Sequence, residues 1–183
     1  MDLLAQCQSM GSQLDHAAKR VLDAIVRGNK ILCCGNGGSS ADAAHFAAEI
    51  AGRYLNNRPG FPAIDLTASS SLVPALINDF PPAEVFARQV QAMAAPGDVL
   101  VVFTSSGNSE NILLALEMAN KKQMETISFL GRDGGKCRGL ADVEFIVPHN
   151  VTARIQEVHQ LLYHTLCEAI DPALIQLAND TNR

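Results

Sequence analysis

Apolar residues change their spacing several times along this chain, and each change marks an element. Leu3, Leu4, Met10, Leu14, Ala17, Ala18, Val21, Leu22, Ile25 and Val26 recur at helical spacing, which predicts a long first helix ended by Gly28. Compact apolar runs then follow, such as Ile31-Leu32-Cys33-Cys34 and Val99-Leu100-Val101-Val102-Phe103, which read as strands buried on both faces. The expected order is strand 30–34, helix 40–54, strand 63–66, helix 70–78, helix 82–94, strand 98–103 and helix 108–121. It continues with strand 125–130, a short turn or helix at 135–140, strand 142–147 and a final helix 152–177. Such alternation implies an α/β fold, a parallel sheet with helices on both faces. The segments 55–62 and Gly131-Arg132-Asp133-Gly134-Gly135 read as loops too short to divide the chain. One domain over 1–183 is expected, with residues 1–28 as an N-terminal helix ahead of a core and C-terminal helix at 29–183.

Composition fits one sizeable core, since 48% of the 183 residues are hydrophobic. The net charge of -5 is spread without a basic block, which argues against a nucleic-acid groove. No run of eighteen apolar residues appears, and no basic segment leads into an apolar stretch at the N-terminus, so a soluble chain without a membrane span or export signal is expected. Five cysteines, an odd number with Cys33 and Cys34 adjacent and no CxxC pair, suit reduced thiols and a cytoplasmic location.

Two loops carry the chemistry. Gly35-Asn36-Gly37-Gly38-Ser39-Ser40 and Thr104-Ser105-Ser106-Gly107-Asn108-Ser109 each follow a strand and open a helix. There, unpaired N–H groups and the positive helix end attract an anion, while hydroxyls donate further hydrogen bonds. Ordinary turns with serine N-caps would look similar, but two equivalent loops in one small domain favour a shared phosphorylated ligand. The helix after the first loop places His45 and Glu49 four apart on one face, where they can meet a metal ion, a substrate or simply each other. The last helix adds Gln156, Glu157, His159 and His164 among apolar residues. Gln156 and His164 are about 12 Å apart along a helix axis, so one metal reaches both only if the side chains extend toward each other, and a site collecting them from different chains is the alternative. Neither a Gly-x-Ser-x-Gly elbow nor a Lys-Ser/Thr P-loop ending is present, which disfavours serine hydrolysis and ATP binding.

Taken in order, Cys34-Gly35-Asn36-Gly37-Gly38-Ser39, His45-Phe46-Ala47-Ala48-Glu49, Gly52-Arg53-Tyr54, Asn57-Arg58-Pro59-Gly60-Phe61-Pro62, Asn78-Asp79-Phe80, Thr104-Ser105-Ser106-Gly107-Asn108-Ser109, Gly134-Gly135-Lys136 and Ala153-Arg154-Ile155-Gln156-Glu157-Val158-His159 resemble the phosphoheptose isomerases, single-domain members of the sugar isomerase (SIS) fold. The resemblance spans nearly the whole chain, although the N-terminal helix is shorter than is usual in that family. It implies a flavodoxin-like, doubly wound, three-layer sandwich with a five-stranded parallel sheet, and an aldose–ketose isomerisation of sedoheptulose 7-phosphate to D-glycero-D-manno-heptose 7-phosphate for lipopolysaccharide precursors. It further implies one zinc ion per subunit at His45, Glu49, Gln156 and His164. Substrate contacts would fall on Asn36, Gly37, Gly38, Ser39, Glu49, Asn78, Asp79, Thr104, Ser105, Ser106, Ser109 and Gln156. Glu49 is the candidate base and His164 the proton donor or relay, in a homotetramer with sites at subunit contacts.

Two other readings use the same fold. A related SIS protein binds the replication initiator without catalysis, and a sugar-phosphate sensor would need only the loops. The non-catalytic relative departs from the enzyme pattern at the positions of Glu49 and His164, both kept here, which favours the enzyme.

Overall fold

The fold follows from a sheet whose central strands are buried on both sides. In the computed structural model, which describes Leu3, Ala5 and residues 8–181, five strands form one sheet: β1 (Ile31–Gly35), β2 (Ala63–Asp65), β3 (Val99–Thr104), β4 (Glu125–Gly131) and β5 (Val143–Val147). They lie in the order β2-β1-β3-β4-β5, all parallel, the flavodoxin-like arrangement expected. Six α-helices among the described residues surround it: α1 (Gly11–Val26), α2 (Gly38–Ala51), α3 (Leu72–Asp79), α4 (Val85–Met93), α5 (Glu110–Lys121) and α6 (Thr152–Thr181).

Alternate side chains along each strand feed two cores. Ile31, Cys33, Val101, Phe103, Phe129 and Phe145 pack with α1, α2 and α6, whereas Leu32, Cys34, Leu100, Val102 and Leu130 pack with α4 and α5. Phe103, Phe129 and Phe145 occupy one register across β3, β4 and β5 and stack in sequence, with ring centroids 4.6 and 4.7 Å apart. This aromatic row lies under α6, the helix that carries Gln156 and His164.

The differences from the expected elements sit at helix ends. The first helix is not continuous from Leu3: a 3-10 turn at Gln8–Met10 precedes α1, where Ser9 and Gly11 weaken the α-helical preference, and Leu4 lies outside the described residues. The helix expected to reach residue 54 stops at Ala51, because Gly52 leaves helical geometry. Pro82 opens the next helical stretch as a 3-10 turn, Pro82–Glu84, before α4. The final helix runs to Thr181 despite Pro172 in its interior.

Candidate active site

Both Ser/Gly loops end neighbouring strands, β1 and β3, at the point where the strand order reverses. Ligands of open parallel sheets sit at such a crevice. The loops are joined by a reciprocal amide pair: Asn36 Nδ2 donates to Asn111 Oδ1 and Asn111 Nδ2 to Asn36 Oδ1, both at 2.9 Å. Asn36, Ser39, Thr104, Ser105, Ser106 and Ser109 line a small cleft of about 80 Å³ between them. Neither α2 nor α5 has a side-chain N-cap, so the serines are not spent as caps. The second loop is held from within and below. The Gly107 N–H donates to Thr104 Oγ1 and the Asn108 N–H to Ser106 Oγ. Gly107, at φ 64°, lies so close to the 131–135 turn that a Cβ would meet the Gly134 carbonyl at 2.0 Å. Only glycine permits that approach.

A second polar group lies farther down α2. His45 Nε2 is 2.9 Å from Glu49 Oε1, as the spacing of four requires. Across from them α6 presents His164, its ring 4.9 Å from that of His45, and one donor atom from each of the three residues lies within 4.8 Å of the others. Burial, then the neighbouring His45, lowers the His164 pKa, which favours the neutral imidazole that metal ligation and proton transfer both need. Two imidazoles and one carboxylate, all partly buried, form a group whose donor chemistry suits a metal ion. A plain surface ion pair would not bring the second histidine.

Gln156, on the same helix as His164, meets the other end of α2. Its amide packs against the start of α2, where a Cβ on Gly38 would sit 2.5 Å from Nε2. Gln156 therefore lies beside the Ser/Gly cleft, two turns of α6 from His164. Gly37, at φ 58°, forms the turn into α2. Asn78 and Asp79 end α3, exposed and hydrogen-bonded to each other at 2.8 Å, and do not line the cleft.

His159 is a structural residue. Its Nε2–H donates to the Leu130 carbonyl at 3.1 Å, its Nδ1 has no partner, and burial pushes its pKa down to about 4, so the ring stays neutral.

Several contributors escape sequence reasoning. Asp42 lies one turn before His45 with a buried oxygen lacking a partner, and burial raises its pKa to about 6 against the opposing pull of His45. Its spacing of three from His45 is the one signal that could have flagged it. Tyr163 hydrogen-bonds His45 Nδ1 at 2.9 Å. Arg58 donates to the carbonyls of Glu49, Ile50 and Gly52 at the end of α2 and pairs with Asp171 of α6. It thereby ties the helix of Glu49 to the helix of His164.

Residues 2–131 match the SIS domain family. The chain is similar to the phosphoheptose isomerase of Aliarcobacter butzleri, 48% identical over 167 residues that cover 91% of this chain and 88% of that protein. It is 44% identical over 174 residues to the phosphoheptose isomerase of Alteromonas mediterranea, covering 93% and 88%. The structure of phosphoheptose isomerase from Neisseria gonorrhoeae is similar with a TM-score of 0.87 at 41% identity, over 93% of this chain and 91% of that one.

Proposed function

The chain belongs to the SIS domain family, within its phosphoheptose isomerases, and we propose that it converts sedoheptulose 7-phosphate to D-glycero-D-manno-heptose 7-phosphate through an enediol. It is an isomerase acting in heptose precursor synthesis, and the initiator-binding alternative is not favoured. The observation that carries the chemistry is the convergence of His164 with His45 and Glu49 of α2, a helix whose first turn borders a serine-lined cleft at the sheet's switch point.

The cleft of Ser39, Thr104, Ser105, Ser106 and Ser109, with Asn36, Gly37 and Gly38, holds the phosphate end by hydroxyls and helix N-termini. Asn78 and Asp79 remain assigned to the substrate by resemblance. Glu49 takes the proton from C1 of the ketose and returns it to C2 of the enediol. His164 moves the hydroxyl proton between the two oxygens, so the carbonyl passes from C2 to C1 with no net gain or loss. His45, Glu49 and His164, with Gln156, would hold one zinc ion per subunit, which when bound stabilises negative charge on those oxygens. Ligation and proton transfer compete at Glu49 and His164.

Gln156 packs beside the cleft, about 12 Å along α6 from His164, and this spacing supports a homotetramer in which subunit contacts complete the metal site. Uncovered apolar surface supports the same assembly: no residue of α3 is buried, and Leu72, Ile77, Phe80, Val151 and Leu161 are exposed. Sedimentation at four times the chain mass is expected, and a monomer would defeat the shared site. A cytoplasmic location fits the free, buried thiols found among the described residues, Cys33, Cys34, Cys137 and Cys167. Among the described residues, no helix is long and apolar enough to cross a membrane.

Ser106→Ala and Ser109→Ala test the cleft. Each should raise the KM for the sugar phosphate about fivefold or more, as expected when a hydrogen bond to a charged group is lost, with a smaller change in kcat. An unchanged KM in both variants would remove the phosphate from this loop.

A further inference from the structure

We propose that Tyr163 is a positioning residue of the metal site, its phenol holding the His45 ring in place and accepting from Nδ1–H when Nε2 binds the ion. The inference rests on the reading of His45, Glu49 and His164 as metal ligands.

The two nitrogens of His45 face different partners: Nδ1 lies 2.9 Å from Tyr163 Oη, and Nε2 lies 2.9 Å from Glu49 Oε1. A neutral imidazole carries one N–H. With no ion, Nε2–H donates to the carboxylate and the phenol donates to Nδ1, so every group is satisfied. When an ion shares Nε2 with Glu49, the hydrogen must reside on Nδ1, and the group facing Nδ1 must become an acceptor. A hydroxyl can do both, because it donates and accepts. The freed phenol hydrogen then needs an acceptor of its own. Asp42, one turn before His45 on α2, offers one, a buried oxygen without a hydrogen-bond partner among the described residues.

Packing keeps the phenol in place. Tyr163 is 1% exposed, with its ring edge-on to Phe46 and Phe103 at 6.1 and 5.8 Å and 4.7 Å from the ring of His164. It also immediately precedes His164 on α6, so one stretch of backbone sets a ligand from this helix and orients the ligand from α2. Partners of this kind hold metal-bound histidines in orientation, and their loss typically weakens metal binding about 10- to 100-fold.

The test titrates the metal-free, full-length protein with zinc against a chromophoric chelator. Tyr163→Phe keeps the ring and its packing and should bind zinc about 10- to 100-fold more weakly than the unaltered protein. Equal affinity in the two would overturn the role of Tyr163 while leaving the trio intact, whereas failure of the unaltered protein to bind zinc would overturn the reading of the trio itself. Nitrogen-15 NMR of the two zinc-loaded proteins gives an independent readout that a packing role would not move. The His45 Nδ1 hydrogen should be held by Tyr163 and exchange with water faster in zinc-loaded Tyr163→Phe than in the unaltered protein, and equal exchange in the two would refute the inference.

Discussion

Glu49→Gln should lower turnover at least about a hundredfold, the lower scale for losing a general base. The substitution keeps the shape and the hydrogen-bonding reach of the side chain but removes its capacity to take a proton. Glu49 is well placed to act as a base, because its side chain is 18% exposed, it shares a face with His45, and the ring of His164 stands across from them on a separate helix. Substrate binding should suffer less than turnover, because the proposed phosphate cleft lies at the other end of α2. Since Glu49 is also a candidate metal ligand, the comparison uses preparations of equal measured zinc content. Near-normal turnover in such a metal-matched preparation would exclude Glu49 as the base.

Arg58→Met should destabilise the fold by about 3–5 kcal/mol, read from the midpoint and slope of urea unfolding. The guanidinium and the Asp171 carboxylate are almost wholly buried, at 1% and 4% side-chain exposure. Removing the cation leaves a buried carboxylate with only Asn56 among the described residues to satisfy it, and takes the Arg58 donor from the carbonyls of Glu49 and Gly52. The pair also sets an acid limit. Burial opposes the charge on Asp171, but hydrogen bonds from Asn56 and Arg58 prevail and hold its pKa below the ordinary aspartate value. A depressed folded pKa favours the folded state fully above the unfolded value of about 4, and that contribution fades as pH falls through the lower folded value. Asp171→Asn should therefore flatten the loss of stability below about pH 4. An Arg58→Met protein as stable as the parent would show that the pair contributes packing alone.

What could be read in advance divides along sequence distance. The strands were legible because burial on both faces leaves unbroken apolar runs, and His45 with Glu49 because a helix converts a spacing of four into proximity. The serine loops were legible because strand, loop and helix are consecutive. Pairings between distant segments left no local mark. Asn36 with Asn111, Arg58 with Asp171, and Tyr163 with His45 are separated by 75, 113 and 118 residues. No spacing rule connects them. His159 and His164 look alike in the sequence, yet one meets a backbone carbonyl in the core and the other faces the trio, because five positions along α6 turn them to different sides. The end of α2 was misplaced because the stop is a single glycine, Gly52, inside a run that otherwise suits a helix.

The central claim is that this trio and cleft form an isomerase of heptose phosphates, and direct observation of the sugar tests it most closely. Purified, zinc-loaded protein is mixed with sedoheptulose 7-phosphate, and the anomeric carbon signals are followed by NMR. Appearance of D-glycero-D-manno-heptose 7-phosphate, abolished by chelation and restored by zinc, is the predicted result. A folded, zinc-loaded protein that leaves the ketose unchanged would contradict the account.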